Sequence, residues 1–130
     1  MRITHIGGPT ALIEIGGRRL LTDPTFDDPG RRYAFGWGTS SRKTAPPAVA
    51  VGDLGRVDAV LLTHDHHGDN LDRAGRSLLP TAGTVVTTAS GARRLRGRAQ
   101  GLEPWATTRL RRLVDRRSTS PPRHAATARR

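Results

Sequence analysis

The stretch Val57–Asp72, VDAVLLTHDHHGDNLD, constrains this chain more than any other. An apolar run, Ala59 to Leu62, ends abruptly in Thr63 and three histidines interleaved with carboxylates. The run is short, rich in Val and Leu and bounded by polar residues, which predicts a buried strand. Its end releases His64-Asp65-His66-His67-Gly68-Asp69 into one small volume. Neutral imidazole and carboxylate are ligands that borderline divalent cations accept, and histidines two apart in a tight turn can face one ion. A polar loop after a strand, taken alone, predicts only a turn. Three of the chain's five histidines within four positions go beyond that and point to a metal site.

The chain has no cysteine, so any metal must be held by His, Asp or Glu, and disulfides are excluded. Its 130 residues suffice for one small domain. A net charge of +11 raises the alternative of a basic nucleic-acid-binding module. Residues 111–130, however, hold seven Arg against one Asp, a net +6, which leaves +5 for the first 110 residues. Aromatic residues make up 4%, too few for a set of base-stacking platforms. Lys43 is the only lysine, a skew that fits a GC-rich coding sequence better than a phosphate-binding surface. Nucleic acid is therefore not the expected partner, and only the Arg-rich tail keeps that alternative open. Met1 leads straight into MRITHIGG without a basic and then apolar leader, and no apolar run reaches membrane-spanning length. The expectation is a soluble cytoplasmic protein that acts on a small molecule and has no membrane partner.

Along the chain, Arg2–Ile6, Thr10–Ile15 and Arg18–Thr22 read as strands, the last two joined by the Gly16-Gly17 turn signal, and Asp23-Pro24 ends the third. His5 reads as a structural hydrogen-bonding residue. Residues 25–53 read as a long irregular segment that holds four of the five aromatics, Phe26, Tyr33, Phe35 and Trp37. Such a loop either faces substrate or partner, or caps the edge of the core. Ala48–Asp53 reads as a short helix or turn. Beyond the histidines, Leu71–Leu79 has helical spacing, Thr84–Thr88 is β-branched, and Ala89–Leu95 starts a helix with Ser90 as its cap. Arg93, Arg94, Arg96 and Arg98 fall on its solvent side or in the next loop. Gly101–Leu110 reads as a connection into one more strand, with Trp105 as an anchor. Residues 111–130 lose all hydrophobic period and read as a disordered or out-of-frame tail.

THIGGPTALIEIGGRRLLTDPTF followed by VDAVLLTHDHHGDNLD resembles the metallo-β-lactamase-fold metal-dependent hydrolases. The resemblance is to the branch of ascorbate-phosphate lactonases and phospholipase-D-like hydrolases, and it covers roughly residues 1–110. In that branch a first hairpin ends in Asp-Pro, and a later strand delivers His-x-His-x-Asp-His, commonly followed by Leu-Asp. His64 and His66 match the first two ligands, and Leu71-Asp72 the trailing pair. Two departures stand out. One residue is inserted, so Asp69 lies one position further from His64 than in the family pattern. Asn70 also stands where the last histidine belongs, and His67, the obvious substitute, is out of position.

The resemblance implies an α+β fold, the first half only of a metallo-β-lactamase-like αββα sandwich. It would be a mixed sheet with helices on one face and the other face bare and apolar, a route to homo-oligomers. It implies one or two divalent ions, zinc or else manganese, held by His64, His66, His67 and Asp69. Such ions activate water against an ester, lactone or phosphodiester bond. Asp69 becomes the catalytic residue, binding the second ion or orienting the water. Asp65 becomes an acceptor that fixes an imidazole tautomer, Asp23 a supporting residue at the hairpin mouth, and Thr63 a strand terminator. Family members run to about twice this length, and their second half supplies a further His, a bridging Asp and a final His. After residue 110 only His124 and Asp115 remain, and neither maps onto those ligands. The chain therefore reads as a truncated or frameshifted hydrolase, weakly active or inactive, with a non-catalytic metal-binding remnant as the alternative.

Overall fold

The structure, a computed structural model, describes residues 1–111. Strands β1 (Arg2–Gly7), β2 (Thr10–Ile15) and β3 (Arg18–Thr22) form an antiparallel meander. Gly16 and Gly17 both take positive φ, 55° and 72°, which gives the tight β2–β3 connection the twist of its strands. The chain then leaves the sheet for a separate hairpin, β4 (Arg32–Gly36) and β5 (Thr39–Arg42), and makes a 3₁₀ turn at Val51–Asp53. It returns as β6 (Ala59–Leu61), β7 (Thr84–Thr87) and β8 (Ala99–Gly101), joined in parallel to β3 and to one another. The sheet order is β1-β2-β3-β6-β7-β8. Helix α1 (Arg73–Leu78) links β6 to β7, and α2 (Ala89–Leu95) links β7 to β8.

Alternation of side chains decides which face is covered. Leu12, Leu21, Val60 and Val85 are neighbours in register across four strands, and all are buried with Leu54, Leu71, Leu78 and Leu79 in one core. Removing a side chain as enclosed as Leu21 costs about 2–5 kcal/mol. The opposite face carries Ile3, Ile13 and Leu20 in register, and Leu61 beside Val86. There Ile3 is 58% exposed, while Ile13, Leu20, Leu61 and Val86 are half-buried. Among the described residues the result is an α+β half-sandwich, a mixed sheet with helices on one face, as expected.

Both helices are short and depend on their caps. The Gly75 amide donates to Asp72 Oδ1 at 2.7 Å, and the Gly91 amide to Thr88 Oγ1 at 3.1 Å. Thr88, not Ser90, is thus the cap of α2, because Thr88 is the last extended residue before the helix (φ −68°, ψ 158°). Helix α1 lies so close to the end of β3 that a Cβ on Gly75 would fall 1.8 Å from the Pro24 carbonyl oxygen.

Two expectations need correction. Residues 25–53 are not irregular throughout, since β4 and β5 lie within them. Strand β8 is unexpected, and Trp105 anchors nothing, being 102% exposed with φ 65°, while the strand expected to follow Leu110 falls outside the described residues. Arg94 is solvent-exposed as expected, but it is also an ion-pair partner of the histidine loop. Apart from Arg111, the tail assigned to 111–130 lies outside the described residues. No helix among the described residues is long and apolar enough to cross a membrane.

Candidate metal centre

The chain leaves β6 at the carboxyl end of the parallel strands, where open α/β sheets place their ligands. Two strand ends are tied together there. The Asp23 amide donates to the Leu61 carbonyl at 3.1 Å, and the Asp23 side chain turns back to accept the Thr63 amide at 2.7 Å. Asp23 is buried, with φ 27°, a left-handed conformation that Asp tolerates better than most residues.

Thr63 does more than end the strand. Its Oγ1 lies 3.1 Å from both Asp23 carboxylate oxygens, 3.1 Å from His64 Nδ1 and 3.1 Å from Asn70 Nδ2. A carboxylate accepts only, so the hydroxyl proton goes to Asp23. Toward His64 the same oxygen can then only accept, which makes Nδ1 the protonated nitrogen and leaves Nε2 as the lone-pair site. That Nε2 faces His67 Nδ1 at 3.3 Å, with the two rings nearly perpendicular at 86°.

Of the residues expected to bind metal, the structure brings His64 and His67 together and leaves His66 apart. His66 is exposed and its ring centroid lies 6.4 Å from that of His64. The turn after His67, whose carbonyl accepts the amides of Asn70 and Leu71 at 3.1 Å each, folds the loop back on itself. Asp65 is buried and faces away from the imidazole pair. Arg94 Nε donates to its oxygens at 3.0 and 3.2 Å and Nη2 donates at 2.5 Å, while His66 Nδ1 is no nearer than 3.9 Å. Those hydrogen bonds from Arg94 hold the Asp65 carboxyl below its ordinary range against the opposing effect of burial. The expected role of Asp65 as a tautomer-fixing acceptor therefore passes to Thr63. Asp72, the end of the trailing pair, caps α1 and accepts the Asp27 amide at 2.5 Å.

Asp69 Oδ1 is buried without a hydrogen-bond partner. A buried carboxylate oxygen left alone is costly and calls for a missing cation or donor. Asp69 lines a hollow with Gly8, Pro9, Thr25, Tyr33 and Arg42. Tyr33 and Phe35, two of the aromatics clustered in residues 25–53, reach the loop from β4. Phe35 meets His67 edge-on at 5.5 Å, and the Tyr33 hydroxyl donates to Asp27 Oδ2 at 3.2 Å. Burial first, then the nearby Asp27 and Asp72 carboxylates, push the Tyr33 phenol well above its usual value.

Two imidazole nitrogens on one tetrahedral zinc stand about 3.3 Å apart, given zinc–nitrogen bonds of about 2.0–2.1 Å. The His64–His67 spacing therefore fits one edge of such a site, but a full shell is not assembled. Among the described residues no group of three or more imidazole and carboxylate side chains converges to hold an ion.

No protein-family model matches the chain. An uncharacterized protein of Mycobacterium tuberculosis is 39% identical over 72 residues, covering 55% of this chain and 18% of its own length. The N-acyl-phosphatidylethanolamine-hydrolyzing phospholipase D 1 of Caenorhabditis elegans is 32% identical over 69 residues, covering 53% of this chain and 18% of that protein. The chain thus spans less than a fifth of the length of these relatives. Among solved structures, the isothiocyanate hydrolase from Delia radicum gut bacteria superposes with a TM-score of 0.66 and 27% identity, over 79% of this chain and 42% of that one. A possible metal-dependent hydrolase from Veillonella parvula shares the fold with a TM-score of 0.57 and 21% identity, over 72% of this chain and 37% of its own. In fold and sequence the chain is similar to metallo-β-lactamase-type hydrolases at the level of the superfamily, over part of each of those chains.

Proposed function

We propose that this chain carries the metal loop of a divalent-metal-dependent hydrolase that directs water at an ester, lactone or phosphodiester bond. The observation that carries the reading is the facing of His64 Nε2 and His67 Nδ1 at 3.3 Å; Asp69, two residues on in the same loop, adds a buried carboxylate oxygen without a partner. The two similar hydrolases, one named for a phospholipid and one for an isothiocyanate, both add water to an electrophilic centre, which supports the reaction class. A bound zinc or manganese ion supplies a Lewis acid that acidifies water and polarises the scissile bond. The chain's own residues prepare for it. Asp23 and Thr63 fix His64 in the tautomer with a free Nε2, and Asp69 accepts a proton from water or helps hold a second ion.

With no third donor assembled among the described residues, the isolated 130-residue chain is proposed to bind metal weakly and turn over slowly. Its open apolar sheet face is proposed to pair with a second copy of the chain. Zinc or manganese titration followed by ester, lactone and phosphodiester assays tests the reading. Metal-stimulated turnover lost on His64→Ala supports it. A chain that takes up neither ion overturns it.

A further inference from the structure

Gly68, in the lengthened histidine loop, has a use that the structure shows. A Cβ placed on Gly68 would lie 2.4 Å from Tyr33 Cδ1 and 3.0 Å from Cε1, so the tyrosine ring occupies the space of the missing side chain. Gly68 does not have the positive φ that would itself favour glycine. Steric contact with the ring is thus the demand that excludes a larger residue. The ring is held from two other directions, through the pairing of Tyr33 with Ser41 across the hairpin and through the hydroxyl's bond to Asp27. Two residues on, along the same face of β4, Phe35 sets its ring against His67. One strand therefore braces two successive loop residues, and the braced imidazole is the one whose Nδ1 meets His64 Nε2.

We infer that the Tyr33–Phe35 face of the hairpin is a positioning device that makes His67, not His66, the second imidazole of the metal site. Gly68 is the notch that admits it. The inference rests on the metal-hydrolase reading and adds residues that touch no substrate. It bears on one departure of the motif: in the lengthened loop Gly68 seats Tyr33, and the histidine just before it takes the place of His66. A larger residue at 68 displaces Tyr33 and with it the strand that holds Phe35. A smaller side chain at 35 leaves His67 free to rotate and opens the nitrogen pair.

The test is zinc affinity of the full chain by chelator competition, with cobalt absorption spectra and the His67 ring proton shifts of the metal-free protein. Phe35→Leu and Gly68→Ala are expected to weaken zinc binding about tenfold or more, as loss of a ligand's support does. Helical and strand circular dichroism stays unchanged in Phe35→Leu. Phe35→Tyr restores affinity, His66→Ala keeps it, and His67→Ala loses it. Should Gly68→Ala fail to fold, Phe35→Leu and its tyrosine rescue carry the result. Wild-type binding with unchanged affinity in Phe35→Leu, or binding that depends on His66 rather than His67, overturns the inference and leaves the metal reading intact. A wild-type chain that binds no zinc or cobalt overturns both. His67 ring shifts that do not move in Phe35→Leu remove the contact itself.

Discussion

Arg94 grips both oxygens of Asp65, so that helix α2 holds the residue standing between His64 and His66. Arg76 from α1 adds a donor to the Asp65 carbonyl at 3.3 Å. The loop that carries the imidazoles is therefore pinned on its far side to both helices, while Asp23 and Thr63 hold its near side to β3.

The Asp65–Arg94 pair makes a testable contribution to acid stability. The folded carboxyl is depressed relative to its unfolded value of about 3.9. Its stabilisation is thus complete above that value and is lost as pH falls through the folded one. Arg94→Gln is expected to be less stable than wild type at neutral pH, with the gap closing below about pH 4. Urea unfolding at a series of pH values reads this directly, and a gap that stays constant into strong acid rejects it.

Asp69→Asn separates function from stability. Removing the charge from a half-buried carboxylate with one unpartnered buried oxygen is expected to raise the stability of the metal-free protein by about 1 kcal/mol. The same change is expected to lower metal-dependent turnover about a hundredfold, since a proton acceptor is lost. Thermal unfolding without metal checks the first part. A destabilised asparagine variant means that Asp69 already has its partner within the fold.

Capping distinguishes two hydroxyls two residues apart. Thr88→Ala is expected to cost about 1 kcal/mol, because it deprives the Gly91 amide of its acceptor. Ser90→Ala is expected to stay within about 0.5 kcal/mol. Chemical denaturation of the two variants gives the comparison, and equal losses contradict the assignment.

The half-exposed apolar sheet face predicts association. Ile13→Thr and Leu20→Thr place a strand-favouring β-branched residue at both positions while lowering the apolar area of that face. Sedimentation velocity is expected to show concentration-dependent oligomers for the wild type and a shift toward monomer for the double variant. A wild-type chain that stays monomeric at all concentrations removes the self-association proposal.

Much of the sheet was legible because period-two patterning and the Gly16-Gly17 turn are local signals. The hairpin β4–β5 was not, since Thr39–Arg42 are exposed throughout and carry no apolar alternation. Strand β8, Ala99-Gln100-Gly101, is too short and too polar to announce itself. The choice between His66 and His67 could not be read from spacing. On the proposed reading it depends on a ring arriving from more than thirty residues upstream, and the local hint was a glycine within the lengthened motif. Arg94 looked like one more cation on a solvated helix because periodicity does not register a loop crossing in front of that helix.

The parallel pairing of β3 with β6 also dictates an order in time. The meander closes through tight turns, whereas Leu21 meets Val60 only after the whole intervening segment, hairpin included, has been looped out. Such distant closures come late, because their entropy is spent before any contact returns it. The bonds from Asp23 to Thr63 form only at that closure, so the imidazoles receive their orientation among the last events of folding. Amide exchange should therefore be slowest in β2 and β3 and faster across residues 63–70, and metal added during refolding should bind only after the meander is protected.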